Sequence, residues 1–186
     1  MENLVNIIAL LFGIALIGFI VLMVKLFFKL QTLSDQKVHS VLIVDDKGSD
    51  LSSMVNYIKS KGFEVDVAAN VTDAEKNLED NEPTYALIDL GLSGSEKDEF
   101  DGIQLFKFIF RRNLPTKPIV VSAHPFEKET KPYFEKYLKD VVGDNLESVL
   151  QDIQDNYIDK LNPSRNYVFA IADKLEALEN AEKSAK

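Results

Sequence analysis

The stretch Tyr85-Ala86-Leu87-Ile88-Asp89-Leu90-Gly91-Leu92-Ser93-Gly94 decides how this chain is read. A short apolar run ends on one carboxylate, and turn residues follow at once. A run bounded in this way suits a strand buried on both faces, as in a parallel sheet. Asp89 then stands where the strand stops and a loop begins. Ligands of open α/β sheets bind at that carboxyl edge, which makes Asp89 the first candidate functional residue.

Outward from this strand, strand-like and helix-like stretches alternate. Val38–Asp46 reads as a strand whose core, Val41-Leu42-Ile43-Val44, is closed by Asp45 and Asp46. Leu51, Met54, Val55 and Ile58 follow at helical spacing, and Lys61-Gly62 ends that helix. Phe63–Ala69 alternates as a second strand, and Thr72–Asp80 is a short polar helix ending before Pro83. Beyond the central strand, Asp101–Asn113 is helical and apolar on most of its surface, and Pro118–Ala123 is a fourth, buried strand. Glu127–Glu135 reads as a short helix interrupted by Pro132, and Tyr137-Leu138-Lys139 as the last short strand. From Asp144 an amphipathic helix carries Leu146, Val149, Leu150, Ile153, Tyr157 and Ile158 on one face. Strands alternating with helices imply βαβ units, so the expected class is α/β, one doubly wound five-stranded parallel sheet.

In such a sheet the strand ends share one edge. This gathers Asp45, Asp46, Asp89, the Ser122 hydroxyl and the Lys139 ammonium. Three carboxylates that close repel one another unless a cation lies among them, and hard oxygen donors suit Mg²⁺. Asp89, in the middle, could attack a phosphoryl group to form an aspartyl phosphate. Lys139 and Ser122 would hold the phosphoryl oxygens as charge redistributes.

The pattern resembles the response-regulator receiver domain. The matching pieces are VLIVDD (41–46), LIDLGLSG (87–94) followed by DG (101–102), VVSAH (120–124) and YLKD (137–140). Together they cover roughly residues 40–158. The resemblance implies a flavodoxin-like sheet of order 2-1-3-4-5. It implies Asp89 as phosphoacceptor, and Asp46, Asp89 and the Gly91 carbonyl as Mg²⁺ ligands assisted by Asp45. Ser122 would be the switch hydroxyl and Lys139 the phosphate-pairing lysine. The sequence also departs from the family pattern. Ser93 replaces a common proline, Ser95–Phe100 looks inserted, and Asp140 follows Lys139 in place of the commoner proline. The family's switch aromatic lies three residues before its lysine, whereas Tyr137 lies two before Lys139. Lys131-Pro132 copies the family's Lys-Pro pair but follows Ser122 by too few residues for a helix and a strand. His124 reads as structural.

Charge and composition limit the function classes. The 186-residue chain carries a net charge of −9, yet residues 1–40 alone carry a formal +1. The remainder is therefore acidic and lacks the basic footprint that nucleic-acid binding needs. No cysteine is present, which excludes disulfides, thiolate catalysis and Cys-ligated zinc. Asn3–Val24 is uncharged and followed by Lys25 and Lys29. At ~1.5 Å per residue it would span a ~30 Å hydrocarbon core. The positive-inside rule would then leave the N-terminus outside and the remainder in the cytoplasm. The organisation expected is a transmembrane anchor in 1–30, a linker in 31–39, a receiver in 40–160, and a C-terminal helix and tail in 161–186. That last helix is expected to start with Asn162 as its cap and Pro163 at its first position, and either packs on the domain or binds a partner.

The expectation is a membrane-anchored receiver on the inner membrane, acting in a two-component or phosphorelay pathway. A histidine kinase or phosphotransfer protein would be its donor and an unknown protein its output partner. It would be a signalling phosphoacceptor, not an enzyme, at most catalysing its own aspartyl phosphorylation and dephosphorylation. The alternative is a degenerate receiver serving as a phosphorylation-independent membrane scaffold. An aspartate-nucleophile phosphatase is disfavoured, because Asp89-Leu90-Gly91 offers no second acid.

Overall fold

A computed structural model describes residues 18–27, 39–92, 100–164 and 166–184. Residues 18–27 are helical and belong to a separate unit from the α/β domain. The expected membrane anchor is not upheld. Residues 3–17 of the expected span lie outside the described residues. No helix among the described residues is long and apolar enough to cross a membrane. The anchor and the membrane placement read from it are corrected accordingly.

The α/β domain contains five parallel strands: β1 (Ser40–Val44), β2 (Glu64–Ala68), β3 (Tyr85–Asp89), β4 (Lys117–Ser122) and β5 (Tyr157–Asp159). Their order is β2-β1-β3-β4-β5, as the resemblance implied. The helices are α1 (Gly48–Ser60), α2 (Val71–Asn81), α3 (Ile103–Arg112), α4 (Lys131–Val142), α5 (Leu146–Asp155) and α6 (Tyr167–Ser184). Side chains of a strand alternate between faces, so the apolar runs feed two cores. Leu42, Val44, Ala86, Ile88 and Val120 face Leu78, Phe106, Phe134, Leu138 and Ile153. Val41, Ile43, Leu87, Ile119 and Val121 face Met54, Ile58, Ile171 and Leu175. Polar residues then set the element ends. Gly62, at φ 92°, closes α1 in a backbone conformation that glycine adopts without strain. The Asn70 side chain caps α2 by accepting from the Asp73 amide at 2.9 Å.

The chain after β4 differs from expectation. Residues 137–139 are not a strand but the middle of α4. Phe134 and Leu138 are both fully buried, four residues apart, on the helix face that meets the core. Pro132 does not interrupt this helix. It occupies the first turn, where a missing amide donor costs nothing, and a π-helix at Phe126–Thr130 precedes it. The amphipathic helix from Asp144 stops at Asp155, and Tyr157 and Ile158 belong to β5. Two α-helices therefore separate β4 from β5.

The last helix begins later than expected. The side chain of Asn166, not Asn162, caps α6, accepting from the Val168 amide at 2.9 Å. Asn162 instead makes a local turn by accepting from the Ser164 amide. Ile171, Ala172 and Leu175 of α6 are buried against the sheet.

In α4 Phe134 faces the core, whereas Lys136 turns outward. Phe134→Ala is expected to cost about 3–5 kcal/mol. Lys136→Ala should stay within about 0.5 kcal/mol, both read from urea unfolding midpoints.

Candidate functional site

The carboxyl ends of β1, β3 and β5 converge on one cluster. Asp89 is the last residue of β3 and Asp45 follows β1 directly. Lys160 follows β5, its position fixed by its amide donating to the Ser122 carbonyl at 2.8 Å. Although β4 lies between β5 and β3, the long lysine stem crosses it. Lys160 Nζ donates to Asp89 Oδ2 at 2.6 Å and to Asp45 Oδ2 at 3.0 Å. All three side chains are largely enclosed, at 17% exposure for Lys160, 12% for Asp45 and 9% for Asp89. Burial alone would depress the lysine pKa, but Asp89 and Asp45 outweigh it and hold the ammonium above its ordinary value. The remaining oxygens are engaged as well: Asp45 Oδ1 accepts from the Lys47 amide at 2.8 Å, and Asp89 Oδ1 from the Gly91 amide at 3.3 Å.

Ser122, at the end of β4, is fully buried and its Oγ accepts from the His124 amide at 3.1 Å. His124 Nδ1 lies 2.8 Å from Glu129 Oε2, and its ring meets the edge of Phe100. The Tyr157 hydroxyl donates to the His124 carbonyl. Burial pushes the Tyr157 pKa up, while the Ser122 and Thr130 hydroxyls act the other way. One backbone approach also shapes the site. A Cβ on Gly102 would sit 2.2 Å from the Asp89 carbonyl oxygen. Only a glycine lets this turn press against the end of β3, with the Gly102 amide donating to the Leu90 carbonyl at 3.0 Å.

The structure thus brings together Asp45, Asp46 and Asp89 and sets Ser122 on the strand next to Asp89. It does not bring Lys139 to them. Lys139 is exposed on α4, and Lys160 occupies the strand-end position instead. The signal for Lys160 was present in the sequence. Tyr157 lies three residues before it, the spacing of the family's aromatic and lysine that Tyr137 and Lys139 lack. Of the segment that looked inserted, residues 95–99 lie outside the described residues, and Phe100 is buried.

Asp45, Asp46 and Asp89 each offer a carboxylate oxygen within 4.8 Å of the other two. This all-oxygen set, with Asp46 exposed to solvent, fits a hard divalent cation that keeps several waters.

Comparison with known proteins identifies the group. Residues 41–147 match the response regulator receiver domain family. The chain belongs to that family. Such receivers are phosphoacceptors that at most act on their own phosphorylation state, generally use Mg²⁺, and generally take phosphoryl groups from histidine kinases or phosphotransfer proteins. An NtrX-like response regulator of Rickettsia felis is 36% identical over 84 residues, 45% of this chain. The counterpart of Rickettsia conorii is also 36% identical over 84 residues. The match spans only 17% of the length of either relative. Among solved structures, a CheY-like receiver of Methanospirillum hungatei is similar, with TM-score 0.57 and 22% identity over 80% of this chain and 99% of that one. The response regulator domain of Thermotoga maritima CheB gives TM-score 0.53 at 21% identity, covering 79% of this chain and 96% of that one. These two likenesses concern the fold.

Two outcomes follow for this receiver. Gly102→Ala is expected to destabilise the domain by about 1–3 kcal/mol through overpacking, measured by urea unfolding. The raised Lys160 pKa sets a sign for alkaline pH. The stability difference between wild type and Lys160→Met should be complete below the unfolded lysine value of ~10.4. It should shrink as pH rises through the raised folded value, because the unfolded state there binds fewer protons.

Proposed function

We propose that this receiver accepts a phosphoryl group on Asp89 from a histidine kinase or phosphotransfer protein and signals through protein contact. The observation that carries the reading is the Lys160 ammonium held against Asp89 and Asp45 beside the buried Ser122 hydroxyl. An Asp89 carboxylate oxygen attacks phosphorus while the donor's bond to that phosphorus breaks, its electron pair leaving with the donor. Lys160 is already within hydrogen-bond distance of Asp89, so its ammonium can follow the charge onto the phosphoryl oxygens. Ser122 supplies a hydroxyl donor from the neighbouring strand. Asp46, Asp89 and the Gly91 carbonyl, assisted by Asp45, are the residues to hold Mg²⁺, which when bound neutralises phosphoryl charge.

Lys160 also restores the family's aromatic spacing. Tyr157 is half-buried and bonded to the loop after Ser122, which favours it over Tyr137 as the aromatic that reports on the site. The Tyr137 offset, one of the departures behind the phosphorylation-independent scaffold, therefore loses its weight.

The full chain incubated with acetyl phosphate and Mg²⁺ should gain the mass of one phosphoryl group, and Asp89→Asn should gain none. Lys139→Ala is expected to retain the wild-type rate, whereas Lys160→Met should lose about 100-fold or more, in the range of removing one charge-stabilising donor. A wild-type rate in Lys160→Met would overturn the assignment, and labelling of Asp89→Asn would overturn Asp89.

A further inference from the structure

The helices α3 and α4 pack against each other, with Phe106 and Phe134 edge to face at 5.0 Å. Their charge is opposite to that of the molecule. Together they hold six cations and two carboxylates, a formal +4 in a chain of net −9. A groove of about 650 Å³ between them is lined by Lys107, Lys136, Tyr137, Lys139 and Asp140. It already holds one carboxylate. Asp140 accepts from Lys107 Nζ at 3.0 Å, with Arg111 at 3.9 Å, and the lysine bond keeps the Asp140 carboxyl below the usual range. Lys136 lies 5.5 Å over the Tyr137 ring, and Lys139 is exposed. Three cations thus line the groove with one acid and one aromatic, and Arg111 approaches the acid from beside it.

We propose that the α3–α4 groove is a docking surface for an acidic segment of a partner protein. The segment's Asp and Glu carboxylates pair with Lys136, Lys139 and Arg111 while its chain lies along Tyr137. Exposed pairs of this kind are individually weak and screened by salt, so the affinity comes from several at once and falls as ionic strength rises. A short acidic segment also fits the charge distribution better than a duplex. One phosphate per ~1.7 Å of helix axis would extend past the groove onto the acidic remainder. This surface is separate from the Asp89 chemistry, so the proposal stands or falls without it.

The test is fluorescence anisotropy of a fluorescein-labelled oligoglutamate with the full chain at low salt, repeated with Asp89→Asn. Saturable binding by both proteins is expected. Lys136→Glu with Lys139→Glu should weaken it by about tenfold or more. Lys59→Glu with Lys76→Glu, the same charge change on exposed faces of α1 and α2, should leave it within about twofold. Circular dichroism checks that each variant is folded. Absent saturable binding, equal loss in the two double variants, or tighter binding of an oligothymidylate of the same length would each overturn the proposal.

Discussion

Lys160 Nζ sits 2.6 Å from one oxygen of Asp89 and 3.0 Å from one of Asp45. Without that ammonium, three carboxylates would share a space in which their oxygens lie within 4.8 Å. Two unit charges at that separation repel by roughly 3 kcal/mol at an effective dielectric near 20. A phosphoacceptor site needs this concentration of negative charge to attract a metal ion. An internal cation placed between two of the carboxylates offsets that repulsion. Because the lysine reaches over β4 from the outermost strand, the site depends on the whole width of the sheet being assembled in register.

That register follows from burial. Five-residue strands such as β1 and β3 are apolar on both sides, so they can sit only between two helical layers. The first hydrophilic residue then marks the end of each: Asp45 after β1, Asp89 in β3, Ser122 in β4. Behind them, Gly102 allows the turn before α3 to touch the backbone of Asp89. The loop after β4 is pinned in turn by Ser122, Glu129 and Tyr157. Asp45, Asp89 and Lys160 are thus each held by a neighbour on a different element.

These same features explain what could be read from the chain beforehand. β1, β3 and β4 are continuous apolar runs, and their acidic or hydroxyl endings were visible as punctuation. β5 was hidden because it is only three residues long with one buried member, Ile158. Tyr157 and Ile158 also continue the helical spacing of Leu150 and Ile153, so they looked like the end of α5. Conversely, Tyr137-Leu138 imitated a strand while Leu138 was the next helical position after Phe134. Asn162-Pro163 imitated a helix start, yet the cap went to Asn166, whose side chain meets the Val168 amide. Short elements lack the repetition that makes periodicity readable, and the lysine directly follows the shortest strand.

Lys160 follows Asp89 by 71 residues, and this spacing matters during synthesis. At translation rates of roughly 5–20 residues per second, the lysine leaves the ribosome roughly 4–14 s after the aspartate it neutralises. Through that interval a nascent chain carries the acidic pocket without its counter-ion. Lys160 comes directly after the three residues of β5, so completing the sheet and discharging the electrostatic tension of the site coincide.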